Sequence, residues 1–221
     1  VEVHDDALAR AADFATVALG AAPSAATEAR LAEAVTTDPD PRVRAAAIGA
    51  LARVGTPARA ADAWRRAVGD AEPEVRRRAV EVAPTLARRS EPATLVTPLV
   101  QLLADAEVTV VDAAAWALGE LGDAAITGGA VGALADVATG HDDVLAREAA
   151  VAALGALGDE AGLPAILAGC RDKPTIRRRA VLALAPFEGE EVEAALAEAR
   201  ADRDWQVRQA AEDLTLPRLA P

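Results

Sequence analysis

Between Pro41 and Thr215 the chain writes one phrase six times. The fullest copy is "DPDPRVRAAAIGALARVG", residues 38–55. Others begin at Pro73 (PEVRRRAVEVAPTLA), Val108 (VTVVDAAAWALGELG), Val144 (VLAREAAVAALGALG), Pro174 (PTIRRRAVLALAPFE) and Trp205 (WQVRQAAEDLT). Aligned on the apolar residue before the recurrent Arg (Val43, Val75, Val110, Ala146, Ile176, Val207), successive copies lie 30 to 36 residues apart. A period in this range belongs to stacked helical pairs rather than to one closed core.

Four residues past the aligned position every copy has alanine: Ala47, Ala79, Ala114, Ala150, Ala180 and Ala211. An invariant small side chain means that a neighbouring helix approaches closely there. Bulk follows at eight residues (Leu51, Leu118, Leu154, Leu184) and at eleven (Val54, Leu86, Leu121, Leu157, Phe187). Offsets of 0, 4, 8 and 11 define one helical face. Pro41, Pro73 and Pro174 fall in the first turn, and Gly55, Gly122 and Gly158 stand where a left-handed C-cap favours glycine. These are the B helices of each pair. Shorter A helices are expected at Ser24–Thr36, Pro57–Val68, Pro92–Ala104, Ile126–Thr139, Ala161–Gly169 and Glu190–Arg200.

No single pair can bury its stripe alone, so the copies must stack. The expected fold is all-α: one right-handed α-solenoid domain over 1–221, with six antiparallel helix pairs at 24–55, 57–87, 92–122, 126–158, 161–188 and 190–214. An N-terminal helix near Asp5–Leu19, within a cap over 1–20, reads as a leftover B helix with Asp13 at the close-packed position. Residues 215–221 read as an irregular tail.

Composition agrees with a helical stack. Hydrophobic residues make up 52% of the chain but aromatics only 2%, so the core is Ala, Leu and Val. A net charge of −12 disfavours non-specific contact with nucleic acid or an anionic membrane. Lys173 is the only lysine, and Asn, Tyr and Met are missing, as a GC-rich genome dictates; a salt-loving source is the less compelled explanation. Cys170 is alone, so there is no disulfide framework, and a reducing, cytoplasmic setting is expected. No signal peptide opens the chain, apolar runs fall short of a membrane span, and a first residue of Val fits a trimmed or excised terminus.

The repeated phrase resembles HEAT repeats, in particular the short bacterial and archaeal subtype also found in phycobilin lyase subunits, from about Ser24 to Leu214. The resemblance implies a ladder in which an Asp near the turn and an Arg six residues later join neighbouring copies. Asp38/Arg44, Asp70/Arg76 and Asp202/Arg208 fit this spacing. The middle copies depart from it: Asp105 faces Val111, His141 precedes Arg147 and Arg171 precedes Arg177. Either Asp142 and Asp172 substitute after a one-residue shift, which is the favoured reading, or the central stack exchanges the ladder for something else.

Chemistry is hard to place on this chain. His4 and His141 are the only histidines and lie far apart, so the His–Glu pairs of the deoxyhypusine hydroxylases, which the resemblance calls for checking, are missing. No cluster supplies the three ligands of a catalytic zinc site, and no metal or cofactor is expected. His141 reads as a turn residue and Cys170 as a structural thiol. "TGGAVGA" at 127–133 follows no strand and reads as the loose start of an A helix rather than a phosphate loop.

The exposed side of the B helices says more. Offsets of two, three and six give Arg77, Arg78 and Glu81; Asp112, Ala113 and Trp116; Glu148, Ala149 and Ala152; Arg178, Arg179 and Leu182; then Gln209, Ala210 and Asp213. Trp116 stands where other copies have Gly49 and Ala152. Either it projects as a binding anchor, or it folds down onto small neighbours. The arginine triplets 76–78 and 177–179 belong to copies three repeats apart, roughly 30 Å if layers stack at about 10 Å. Their forks suit carboxylate or phosphate, or else they are solvated partners of nearby acids. Trp64 is expected to be partly buried on the convex side, and Trp205 to seal the C-terminal end.

The leading expectation is a non-catalytic, monomeric interaction scaffold. A helix or extended peptide of another protein would lie in the concave groove of the B helices. Trp116 would be its anchor, Arg77, Arg78, Arg178 and Arg179 its electrostatic grips, Asp112 and Glu148 its specificity contacts, with Leu182 beside them. One alternative is a HEAT-like DNA-repair glycosylase or nucleic-acid binder, for Asp112 and Trp116 lie one turn apart between the triplets. Against it, such enzymes need a broadly basic groove. Another, from the repeat subtype alone, is a bilin lyase-like chromophore chaperone.

Overall fold

Just before the first full B helix, the Asp40 carboxylate accepts from the Arg42 N–H at 2.9 Å, and Pro41 then takes the first helical position, where no N–H is needed. The same side-chain cap opens the B helix Val144–Leu157, where Asp143 accepts from the Leu145 N–H at 2.7 Å. The computed structural model describes residues 24–215 and, ahead of them, residues 6, 7, 9–11, 13 and 14, which are helical. His4, most of the 1–20 cap and residues 216–221 of the tail lie outside the described residues.

In chain order the A helices are α1 (Ala25–Thr37), α3 (Pro57–Ala67), α5 (Ala93–Leu102), α8 (Ala130–Gly140), α10 (Leu163–Gly169) and α12 (Glu190–Arg200). The B helices are α2 (Pro41–Val54), α4 (Pro73–Ala87), α6 (Val108–Leu121), α9 (Val144–Leu157), α11 (Pro174–Ala183) and α13 (Trp205–Thr215). A short α7 (Asp123–Thr127) and a 3-10 turn (Glu160–Gly162) complete the set, with no strand among the described residues. The expected A helix at 126–139 is thus broken: Gly128 ends α7, and Gly129, left-handed at φ 79°, begins α8. In α11 the helix stops at Ala183, two residues short of Ala185-Pro186, yet Phe187 still closes the stripe at 5% exposure.

Two compact units divide the chain at 117/118, inside α6. In the first, α1 packs on α3 and α2 on α4, while α1 also packs on α2 and α3 on α4 within their own pairs. In the second, α8 packs on α10, α9 on α11 and α11 on α13. A-on-A and B-on-B contact is the stacking of an all-α solenoid.

The stripe is buried as its spacing requires. Ala47, Ala79, Ala114, Ala150, Ala180 and Ala211 are each 0% exposed. Offset five, which the sequence reading passed over, is buried in five copies by Ile48, Val80, Ala115, Val151 and Val181. In the sixth it is an exposed Glu212. Burying each larger aliphatic there contributes roughly 1.5–3 kcal/mol. The backbones of α9 and α11 come so close that a Cβ on Gly155 would lie 2.6 Å from Ala183 Cα.

Three expectations need correction. Gly55 is extended rather than left-handed; it is glycine because a Cβ would meet Leu51 Cδ1 and the Leu51 carbonyl at 2.7 Å. Gly122 has a positive φ outside the left-handed helical basin, so only Gly158 caps as expected. Asp13 is exposed, not close-packed; among the described residues ahead of Ser24, Ala7 is the buried one. Trp64 is not partly exposed but wholly buried, its indole N–H donating to the Ala79 carbonyl at 2.8 Å. The close-packed alanine leaves the room that this indole fills.

The Asp–Arg ladder runs within each unit. Arg44 donates through Nε and Nη2 to both Asp70 oxygens, each at 2.8 Å, while its Nη1 bonds the Asp38 carbonyl at 2.9 Å. Arg76 repeats this on Asp105 at 2.7 and 2.8 Å, and Arg177 on Asp202 at 2.8 Å for both bonds. Arg10 reaches Asp38 and Arg147 reaches Asp172, so the one-residue shift holds at Asp172. It does not hold at Asp142, which is exposed and makes no ion pair among the described residues. There the His141 ring stands in for the turn acid, its Nδ1 accepting from the Asp143 N–H at 3.0 Å.

The Arg76 and Arg177 hydrogen bonds hold the Asp105 and Asp202 carboxyls below the usual range. Burial pushes Asp70 and Asp172 up, but the Arg44 and Arg147 bonds, backbone N–H groups and nearby charge outweigh it, and both also end lowered. Arg208 keeps its Nη1 on the Asp202 carbonyl at 2.8 Å, but its Nε and Nη2 hold no carboxylate among the described residues.

Candidate partner-binding faces

Side chains that the stripe leaves outside are the ones free to meet a partner. In the first unit, α4 presents Arg77 and Arg78, and α6 presents Asp112 and Trp116. Trp116 is 47% exposed, so it does not fold down onto small neighbours. Asp112 is half-buried. The arginines are engaged: Arg77 and Arg78 share Glu81, at 3.3 and 3.1 Å, and Arg76 belongs to the ladder. The Arg78 guanidinium lies over α2 at Gly49, where a Cβ would come within 2.8 Å of it. A larger side chain there, as α6 carries in Trp116, would move the guanidinium aside.

In the second unit, α9 presents Glu148, and α11 presents Arg178, Arg179 and Leu182. Arg179 pairs with Glu148 at 3.4 Å, and Arg177, 8% exposed, is the ladder residue. Arg178 is exposed and has no acid partner among the described residues. The two triplets are therefore not equivalent: every member of the first is paired, and the middle of the second is not.

Between α11 and α13 runs a groove of about 200 Å³. Arg178 and Leu182 form one wall, and Trp205, Gln206, Gln209 and Asp213 the other, with Ala210 between. Trp205 is 64% exposed, the most exposed large apolar residue described, and so does not seal the end of the stack as expected. Gln209 Nε2 donates to Asp213 Oδ1 at 2.8 Å. The sequence signal for this groove was present in Trp205, which takes the helix-opening position that Pro holds in three other copies.

Elsewhere, burial pushes the half-buried Cys170 thiol up to about 11, so it is protonated at neutral pH. No three His, Cys, Asp or Glu side chains converge as a metal site among the described residues, and no described helix is long and apolar enough to cross a membrane.

A family model for HEAT repeats matches residues 3–83, 96–185 and 131–214. The chain belongs to the HEAT-repeat family. No curated protein matches this HEAT-repeat chain in sequence. Among solved structures it is similar to a designed armadillo repeat protein in complex with the peptide (KR)4, with a TM-score of 0.65 at 18% identity over 84% of this chain and 96% of that one. An engineered protein matches with a TM-score of 0.61 at 22% identity, covering 85% of this chain and 96% of its own. The complex of CpcE and CpcF of phycocyanin lyase from Nostoc sp. PCC7120 matches with a TM-score of 0.59 at 24% identity, over 87% and 76%. At these identities the likeness is one of fold: HEAT-repeat stacking, shared with proteins of different purpose.

Proposed function

We propose that this HEAT-repeat protein is a non-catalytic scaffold that binds a segment of another protein on the exposed side of its B helices. One observation carries the reading. A chain with three Trp and two Phe leaves two of its tryptophans, Trp116 and Trp205, about half or more in water on B helices. Elsewhere on these helices most large aliphatic side chains of the stripe are buried, with Val54 and Leu157 partly so. Exposed aromatics at defined offsets are the residue type that anchors interfaces. The armadillo neighbour is a peptide complex and the lyase neighbour a complex of two proteins, which lends the reading support.

Arg77, Arg78, Asp112 and Trp116 are the contacts proposed on the first unit, and Glu148, Arg178, Arg179 and Leu182 on the second. The nucleic-acid alternative loses ground on charge. Five of the six triplet arginines already hold carboxylates, and phosphate binding would need them released. Nothing beyond fold favours a chromophore chaperone.

Panning a displayed random-peptide library on the protein tests the scaffold reading. The expected result is a set of peptides whose affinity falls about tenfold or more in Trp116→Ala, with the helical circular dichroism unchanged. Equal capture of the same peptides by a Trp116→Ala/Trp205→Ala double variant would end the proposal.

A further inference from the structure

The groove between α11 and α13 carries more than a general invitation to bind. Its volume of about 200 Å³ is below the roughly 300–1,000 Å³ of small-molecule and cofactor sites. It is the size for one bulky side chain delivered by a longer segment. Its apolar surface comes from Trp205, Leu182 and Ala210, which suits an aromatic or leucine side chain.

The charge at its mouth is also specific. Arg177 and Arg179 point their charge into Asp202 and Glu148, at 2.8 and 3.4 Å. Arg178, between them in sequence, lines the groove and its guanidinium holds no acid among the described residues. On the other wall the one acid, Asp213, already accepts a hydrogen bond from Gln209. A guanidinium beside an apolar slot offers a planar fork to a carboxylate, and the slot's walls lower the local dielectric that screens the pair.

We infer that the α11–α13 groove receives a bulky apolar side chain from a protein segment with an acidic residue close beside it, the carboxylate seated on Arg178. This rests on the scaffold reading above and narrows it to an acidic–apolar peptide, in a protein whose net charge of −12 would by itself favour a basic one. Long-range charge governs the approach of a partner, whereas the desolvated local pair governs which partner stays.

The test uses the full chain labelled with ¹⁵N-tryptophan, the Trp205 indole signal being assigned by its loss in Trp205→Phe. Three short peptides share a central Phe and differ in having Glu, Gln or Lys beside it. The Glu peptide is expected to shift the Trp205 signal and to bind at least about tenfold more tightly than the Lys peptide. Arg178→Gln should erase the preference and Arg178→Glu reverse it. Arg178 is exposed and holds no acid among the described residues, so both variants keep the fold. A preference for the Lys peptide, an order indifferent to Arg178, or a Trp205 signal that no peptide moves would overturn the inference. The scaffold reading is separable: library peptides that bind through Trp116 while the groove stays silent leave it standing.

Discussion

The indole N–H of Trp64 on α3 donates to the Ala79 carbonyl of α4 at 2.8 Å, with both residues wholly buried. One of the two largest side chains of the first unit and one of its smallest are thus a fitted pair. Trp64→Phe removes the bond and leaves a void. It should cost about 2–3 kcal/mol, read as a lowered urea midpoint, whereas Trp116→Ala should shift that midpoint by less than about 1 kcal/mol. Equal losses would mean that the two indoles are not so differently housed.

The ladder makes its arginines unequal. Arg76→Ala strips a mostly buried Asp105 of two hydrogen bonds and frees two carbonyls, and should cost about 2–4 kcal/mol. Arg208→Ala loses carbonyl bonds alone and should cost about 1 kcal/mol or less. Urea melts of the two variants side by side distinguish these values.

Acid should loosen the stack in a defined window. Asp70, Asp105, Asp172 and Asp202 all have folded values below the unfolded one. Their contribution is complete above the unfolded carboxyl value of about 4. As pH falls below it the unfolded chain takes up protons first, and stability drains until the folded carboxyls protonate too. The urea midpoint should hold from pH 7 to 5 and fall steeply toward pH 3. Asp105→Asn should lower the plateau and flatten the fall; an unchanged slope would exclude the ladder as its cause.

Two glycines should respond in opposite directions to the same change. At Gly155 an added Cβ meets the α11 backbone at 2.6 Å, so Gly155→Ala should destabilise by about 1–3 kcal/mol. At Gly132, inside α8 with nothing within 4 Å, Gly132→Ala should stabilise by about 0.5–1 kcal/mol through helix propensity. Thermal melts decide both.

Much of this was legible because periodic burial leaves a periodic sequence. Six alanines at one offset foretold six sites of close helix contact, and the Pro- and Asp-led starts placed the B helices within a residue or so. What escaped was anything set by a single local exception. Gly128-Gly129 split one A helix because two glycines together forfeit helix stability. Trp64 looked peripheral because burial of an indole depends on a carbonyl fifteen residues away, which no spacing rule reveals. The arginine triplets looked alike as text and differ only in which acids stand within reach. For the same reason Trp205 was read as a plug, although its neighbours leave it in solvent.

HEAT-type arrays lengthen when a gene duplicates a helix pair in place, and the newcomer must find a receptor at the end where it lands. Here Arg208 is already braced on the Asp202 and Arg203 carbonyls, and its Nε and Nη2 hold no carboxylate among the described residues, so a copied turn acid would meet a finished socket. Glu212 is the obstacle, for it puts a charge where Val80, Val151 and Val181 put a methyl pair, and a single base change turns a glutamate codon into one for valine. A pair copied in behind α13 would therefore inherit the ladder contact at once and the apolar contact only after Glu212 gives way.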